Sequence, residues 1–135
     1  KHSSTEPLRE ALYHLMWNDA GILRTKAGLQ RAQSELLALS EEIERVGVSA
    51  DDRAFNLSWH DWLNLRSLIR VSQAITTAAL AREDSRGAHF REDFPLTGEL
   101  ETSRYTVVRK RGEALELTEQ PVAFTRVRPG ETLIT

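Results

Sequence analysis

The chain has 135 residues, of which 40% are hydrophobic and 28% charged, enough for one folded domain but too short for a nucleotide-binding domain and a catalytic domain together. Its net charge of -2 produces no positive field that would attract nucleic acid or anionic lipid. Because there is no cysteine, disulfides, thiolate metal sites and thiol nucleophiles are excluded, and no apolar run approaches the ~20 residues of a membrane-spanning helix, so no direct membrane insertion is expected.

Apolar residues at helical spacing predict two helices in the first third of the chain. The first helix starts at Ser4 or Thr5 with Pro7 in its first turn, and a break at residues 18–21 ends it. Its apolar stripe consists of Leu8, Ala11, Leu12, Leu15 and Met16. The second helix is predicted to end at a left-handed Gly47. Its stripe consists of Ile22, Leu29, Ala32, Leu36, Leu39, Ile43 and Val46.

A third helix is predicted after a polar connection at residues 49–56, in which Asp51, Asp52 and Asn56 offer turn or cap positions. Ser58 is the expected cap, and the helix runs to about Arg82. Its apolar stripe consists of Trp62, Leu65, Ile69, Ser72, Ile75 and Ala79. The three tryptophans, Trp17, Trp59 and Trp62, are interpreted as bundle packing rather than a stacking platform.

From Arg104 the apolar period changes from helical to alternating, which predicts a β-hairpin at residues 103–118 with its turn at Gly112. Residues 122–127 alternate again and would add a third strand or cover the bundle. The predicted fold is therefore mainly α, an antiparallel three-helix bundle of the spectrin-repeat kind followed by a small C-terminal β-hairpin. We expect one domain: residues 1–95 form the bundle and its exit loop, and residues 96–135 form a hairpin and tail packed on it.

No residue pattern in the chain indicates catalysis or a bound cofactor or metal. The glycines form no phosphate-binding pattern, and no serine lies in a G-x-S-x-G turn. The four histidines lack the spacing that would aim two imidazoles at one metal ion. No catalytic residue, no cofactor-binding residue and no metal ligand is therefore assigned in this chain.

The most unusual segment is REDSRGAHFREDFP at residues 82–95, which follows the third helix and carries three arginines and four carboxylates. Guanidinium groups can grip carboxylates through two parallel hydrogen bonds. The residues alone allow two interpretations: a loop that neutralises its own charges, or an edge that docks another domain. The first is favoured by the residues alone, since runs of charge are usually solvated surfaces.

Two motifs nevertheless resemble a known protein family. Residues 16–29, MWNDAGILRTKAGL, are similar to the pattern M-W-x-x-x-G-I-x-R-T-x-x-G-L, and residues 82–95 are similar to R-x-x-S-R-G-A-H-x-R-x-D-F-P. Both patterns are typical of the C-terminal region of the flavoprotein subunits of succinate dehydrogenase and fumarate reductase, and of the related L-aspartate oxidases. The two motifs occur in the expected order, and with the helical pattern they span residues 8–95.

This resemblance implies a C-terminal helical domain of a longer enzyme that interconverts succinate and fumarate or oxidises a similar dicarboxylate. FAD would be bound by upstream domains, with none bound by this part, which by itself is expected to be inactive. The implied partners are the protein's own FAD-binding and capping domains and, as an alternative, an iron–sulfur subunit; the implied location is cytoplasmic, with attachment to the inner membrane through partner subunits as one alternative. The candidates for interdomain contact are Arg82, Ser85, Arg86, His89, Arg91 and Asp93.

Two alternatives remain open at this stage. Ala88 favours the succinate dehydrogenase and fumarate reductase branch, because L-aspartate oxidases more often have leucine there, although residues 96–105 lack the tryptophan and the K-H-T-L segment common in respiratory subunits. An L-aspartate oxidase is therefore the close rival. A free-standing helical module that binds a partner through a groove between helices is the alternative from a different class.

Overall fold

The structure is a computed structural model and describes residues 5–48 and 56–134. Three helices are followed by an antiparallel strand pair, as predicted, and a two-residue strand lies on either side of the long helices. The elements are α1 Glu6–Asp19, β1 Leu23–Arg24, α2 Lys26–Val46, α3 Leu57–Ala81, β2 Phe90–Arg91, β3 Arg104–Arg111 and β4 Ala114–Pro121. Over the described ranges, no helix combines the length and apolar character that crossing a bilayer needs.

The core lies where α2 packs against both α1 and α3. Leu29, Leu36 and Leu65 have no exposed surface, and the predicted stripes supply most of the other core residues. The main cluster consists of Leu12, Leu15, Ala32, Leu36, Ile43, Leu65 and Ile69. Burying these side chains is the main favourable term for the bundle, at about 1.5–3 kcal/mol for each large aliphatic residue.

Helix α2 begins later than predicted, so its stripe does not include Ile22. Thr25 adopts an extended backbone conformation and its side chain accepts a hydrogen bond from the Gly28 N–H at 3.1 Å, which caps the helix at that point. Ile22 lies in the turn before β1 and is exposed. The prediction was wrong there because an apolar residue at helical spacing cannot reveal a cap three residues later.

Helix α3 also differs from its predicted pattern at two places. The cap is Asn56, whose side-chain oxygen accepts from the Trp59 N–H at 2.9 Å, and not Ser58. Thr76 is buried in place of Ile75, which is partly exposed. Thr76 can occupy the core because its hydroxyl bonds to the Ser72 carbonyl at 3.0 Å and therefore leaves no unpaired polar group.

The hairpin β3–β4 is longer than predicted and pairs Arg104 with Pro121 at its open end and Arg111 with Ala114 at its turn. Gly112 has a φ of 60°, the positive value that two-residue hairpin turns require at their first central position. The hairpin packs on α3, where Arg70 pairs with Glu113 at 3.0 Å. Among the described residues after Pro121, none forms a strand.

The assignment of all three tryptophans to bundle packing was also wrong in part. Trp62 packs against the core, and its indole N–H donates to the Ile43 carbonyl at 2.8 Å. Trp17 is largely exposed and Trp59 is about half exposed instead. The place of a tryptophan along a helix does not show whether its side chain faces the core or the solvent.

Candidate interdomain site

The two motifs, distant in the sequence, meet in the structure. β1 and β2 form a short parallel pair in which Leu23 lies opposite Phe90 and Arg24 opposite Arg91. The Glu92 N–H donates to the Arg24 carbonyl at 2.9 Å and extends the pairing by one bond. The turn after α1 and the loop after α3 are therefore joined into one structural unit, which we name the motif clamp (residues 21–26 and 82–95).

Arg91 is the centre of the motif clamp and is only 1% exposed. One of its terminal nitrogens, Nη1, donates to the carbonyls of Ala79, Leu80 and Arg82 at 3.0–3.1 Å. These carbonyls belong to the last turn of α3 and to its C-cap residue Arg82, where the helix supplies no further backbone N–H groups. The guanidinium thus caps the negative end of the helix with a positive charge.

Asp93 connects the same guanidinium to the start of another helix. Its two carboxylate oxygens accept from Nε and Nη2 of Arg91 at 2.8 and 2.6 Å, and Oδ2 also accepts from the Lys26 N–H at 3.1 Å. The hydrogen bond from Arg91 is the main cause that lowers the pKa of Asp93 to about 2. A negative charge at the first turn of α2 and a positive charge at the last turn of α3 each lie at the favourable helix end.

Ser85 holds the interior of the loop. Its buried hydroxyl accepts from the Arg91 N–H at 2.9 Å and donates to the Phe94 carbonyl at 2.7 Å. Arg86 and His89 then exchange two backbone hydrogen bonds of 2.8 and 2.9 Å around a tight turn. Gly87 occupies that turn with a φ of 54°, which explains the glycine of the motif.

The other arginines of the loop are also engaged within the chain. Arg82 and Arg86 both pair with Asp84, at 2.8 and 3.0 Å. Arg86 also donates to the Thr97 and Glu99 carbonyls and to the Ser103 hydroxyl, at 2.6–3.0 Å, and so ties the loop to the segment that leads into β3. The interpretation that this loop neutralises its own charges therefore describes these ion pairs well.

His89 lies between two arginines. Its Nδ1 lies 3.0 Å from Nη1 of Arg24, and because a guanidinium only donates, Nδ1 accepts and the ring proton is on Nε2. Nε2 then donates to the Arg82 carbonyl at 3.3 Å. The neutral ring is therefore the form that the contact with Arg24 requires. Burial, followed by the charges of Arg24 and Arg82, lowers the pKa of His89 in the same sense.

The structure brings all six predicted contact candidates into the motif clamp, but it exposes them unequally. Ser85 and Arg91 are buried, whereas Arg82, Arg86, His89 and Asp93 keep part of their surface accessible. Sequence reasoning did not single out Arg24, which also donates to the Gly21 carbonyl at 2.9 Å. The signal was available, because Arg24 belongs to the first motif.

The donors of the motif clamp are already used within the chain. Its guanidinium groups already bond to carbonyls and carboxylates, and among the described residues no buried side-chain nitrogen or oxygen lacks a partner. The described residues also contain no group of histidine, aspartate and glutamate side chains arranged to hold a metal ion. The site is a structural junction between helix ends.

By its fold, the described chain is a mainly α-helical domain, a three-helix bundle with a small β-hairpin. The family of the chain follows from a comparison of its sequence with known protein families. The model of the family described as the fumarate reductase flavoprotein C-terminus matches residues 9–133, and the chain belongs to this family. The resemblance in the two motifs is thereby confirmed.

Individual relatives agree with this assignment. The chain is 35% identical over 113 residues to a fumarate reductase flavoprotein subunit of Mycobacterium tuberculosis, covering 83% of this chain and 19% of the relative. It is 41% identical over 88 residues to L-aspartate oxidase 1 of Ralstonia nicotianae, covering 65% and 15%. The structure of Mycobacterium smegmatis Sdh1 in complex with UQ1 superimposes with a TM-score of 0.72 at 28% identity, covering 88% of this chain and 20% of that one. The chain thus spans a fifth or less of these relatives.

Proposed function

We propose that this chain is the C-terminal helical domain of an FAD-dependent oxidoreductase that interconverts succinate and fumarate. Family membership over residues 9–133 is the observation that carries this proposal. The FAD-binding and capping domains upstream would hold the flavin and the dicarboxylate. The bundle and the hairpin, residues 1–95 and 96–135, would act together as one supporting domain without catalytic residues of their own.

The role proposed for the motif clamp is to present a rigid edge to those upstream domains. Arg82, Arg86, His89 and Asp93 retain accessible surface and are the side chains proposed to contact them. Ser85 and Arg91 would contribute from inside, because their hydrogen bonds hold the loop in one conformation. Preorganisation of this kind lowers the entropic cost of docking.

Partner subunits are a finer part of the same proposal. One solved relative is a quinol–fumarate reductase with menaquinol, which the chain matches with a TM-score of 0.85 at 25% identity. The full-length protein would dock on the iron–sulfur subunit that the resemblance of the two motifs implies, and would reach the cytoplasmic side of the inner membrane through it. Neither nucleic acid nor lipid is proposed as a direct partner.

L-Aspartate oxidation is the second candidate activity. It is favoured by the 41% identity to an L-aspartate oxidase over 88 residues, the highest identity among the relatives described above. That match covers less of the chain than the match to the fumarate reductase subunit, 65% against 83%. The succinate and fumarate assignment is therefore preferred.

The experiment is to express the full-length polypeptide with FAD and to compare three reactions: dye-linked succinate oxidation, fumarate reduction by a reduced dye, and L-aspartate oxidation with oxygen. We expect flavin absorbance together with turnover of succinate or fumarate. Turnover of L-aspartate alone would select the second candidate, and absence of bound flavin would contradict both. The 135-residue chain by itself should neither bind FAD nor turn over any of the three.

A further inference from the structure

One face of the bundle carries large apolar side chains that nothing in the described chain covers. Tyr13 and Trp17 lie one turn apart on α1, and Trp17 is 77% exposed. On α3, Leu68, Val71 and Ile75 recur at steps of three and four residues and are all exposed. We name this surface, made of Tyr13, Trp17, Leu68, Val71 and Ile75, the α1/α3 face.

α1 and α3 run in the same direction with a shallow groove between them, since Arg9 and Tyr13 of α1 lie across it from Asp61, Leu68 and Val71 of α3. Arg9 on α1 pairs with Asp61 on α3 at 3.6 Å and closes one end. Tyr13, Leu68 and Val71 line a common surface depression just beyond this pair. Trp17 and Ile75 are also exposed and follow one helical turn beyond Tyr13 and Val71 on the same two helices.

The chain that follows Trp17 at the end of α1 leads into the motif clamp. Trp17 is followed by the turn that contains Gly21, and the next two side chains, Ile22 and Leu23, are exposed as well. Soluble monomers rarely leave such a contiguous apolar surface uncovered. Its largely uncharged centre is typical of permanent interfaces rather than transient ones.

We propose that the α1/α3 face is covered by the FAD-containing part of the same polypeptide, an inference that rests on the proposed function. The matched relatives are more than four times as long as this chain, whose matched residues cover 15–22% of them, and the family model is a C-terminal one. The preceding part is therefore tethered to the amino end of α1, one wall of the groove. Tethering supplies an effective concentration in the millimolar range and favours this occupant over a separate subunit or a second copy.

Hydroxyl-radical labelling of the full-length flavoprotein tests the proposal, with Trp59 as the internal control. Trp59 is 47% exposed and lies nine residues before Leu68, on the opposite side of α3. We expect Trp17 to be labelled more slowly than Trp59, which reverses their order of exposure in this domain. Faster labelling of Trp17 would overturn the proposal. So would protection that appears only at raised protein concentration or only after an iron–sulfur subunit is added.

A pair of matched variants extends the test. Val71, 56% exposed, lies in the groove, whereas Leu37, 58% exposed, lies on α2 beside Arg70 and Gln73. In the full-length protein, Val71→Asp should speed the labelling of Trp17 and Leu37→Asp should not; equal labelling in both variants would contradict the inference. Flavin absorbance and dye-linked turnover are measured on the unsubstituted sample. Their absence would contradict the proposed function. Their presence together with a Trp17 that is labelled faster than Trp59 would contradict only this inference.

Discussion

Arg91 illustrates how a single side chain can organise two helices. Its five N–H groups reach three carbonyls at the end of α3 and both oxygens of Asp93, and its guanidinium lies 5.0 Å from the centre of the Phe94 ring. A lysine has neither the planar fork nor enough donors for this arrangement. The arginine and aspartate of the family motif are therefore explained by geometry inside the domain.

Replacing this side chain should destabilise the domain strongly. Arg91→Met leaves the helix-end carbonyls and Asp93 without their donor, and we expect a loss of about 3 kcal/mol, at the lower end of the range for broken buried pairs because Asp93 keeps contact with water. Urea unfolding followed by circular dichroism measures it. Arg45→Met is the control, since Arg45 pairs with Glu42 on an exposed surface and should change stability by less than ~0.5 kcal/mol. Equal losses would contradict this account.

The Arg91–Asp93 pair also predicts a specific acid sensitivity. The pKa of Asp93 is about 2 in the folded chain, below its ordinary value of 3.8, so the pair stabilises the fold above about pH 4 and this contribution is lost as the pH falls toward 2. The difference in unfolding free energy between the unsubstituted chain and Asp93→Asn should therefore shrink over that interval. In an Arg91→Met background, Asp93→Asn should alter the pH dependence much less. A difference that stays constant from about pH 5 to pH 2.5 would refute the assignment.

At the scale of the element, the turn after α1 sets the position of β1, the strand that pairs with β2 in the motif clamp. Gly21 lies so close to the Trp17 carbonyl that a Cβ atom there would overlap it. Its own carbonyl accepts from Arg24, which fixes the start of β1. The glycine of the first motif therefore serves a close backbone approach that only a residue without a side chain allows.

Gly21→Ala should accordingly shift the turn and weaken the pairing of β1 with β2. We expect a loss of about 1–3 kcal/mol, the usual cost of overpacking, measured by thermal unfolding of the 135-residue chain. Ile22→Ala, at the exposed neighbouring position, should stay within ~0.5 kcal/mol. An alanine variant at Gly21 as stable as that control would show that the turn adapts without cost.

At the scale of the whole molecule, the polar and apolar surfaces have separate roles. The motif clamp uses its charges mainly on itself, while the α1/α3 face leaves apolar area uncovered. Charges that are already paired within a domain cost less on docking than unpaired charges, whereas the burial of apolar area stabilises the docked state. In the proposed flavoprotein, the motif clamp would contribute a rigid shape to docking on the FAD-containing part, and the α1/α3 face would contribute affinity through its apolar area.

The three helices, the hairpin and the family were predictable from the sequence because each depends on local information. Helical periodicity marks the core positions Leu12, Leu36 and Leu65, alternation marks β3 and β4, and both motifs are contiguous strings of residues. A prediction of this kind needs no knowledge of which elements meet. It identified the loop at residues 82–95 as a candidate site for that reason, without showing that the turn at residues 21–26 pairs with it.

The tertiary structure decided everything that depends on distant partners. The pairing of Leu23 with Phe90, the Arg24 bond to His89 and the cap that Asp93 provides for α2 all join residues more than 60 positions apart. It also decided that Arg91 faces inward while Trp17 and Ile75 face outward. Periodicity records how apolar a position is, but burial depends on which surface is opposite, and that is established only when the chain has folded.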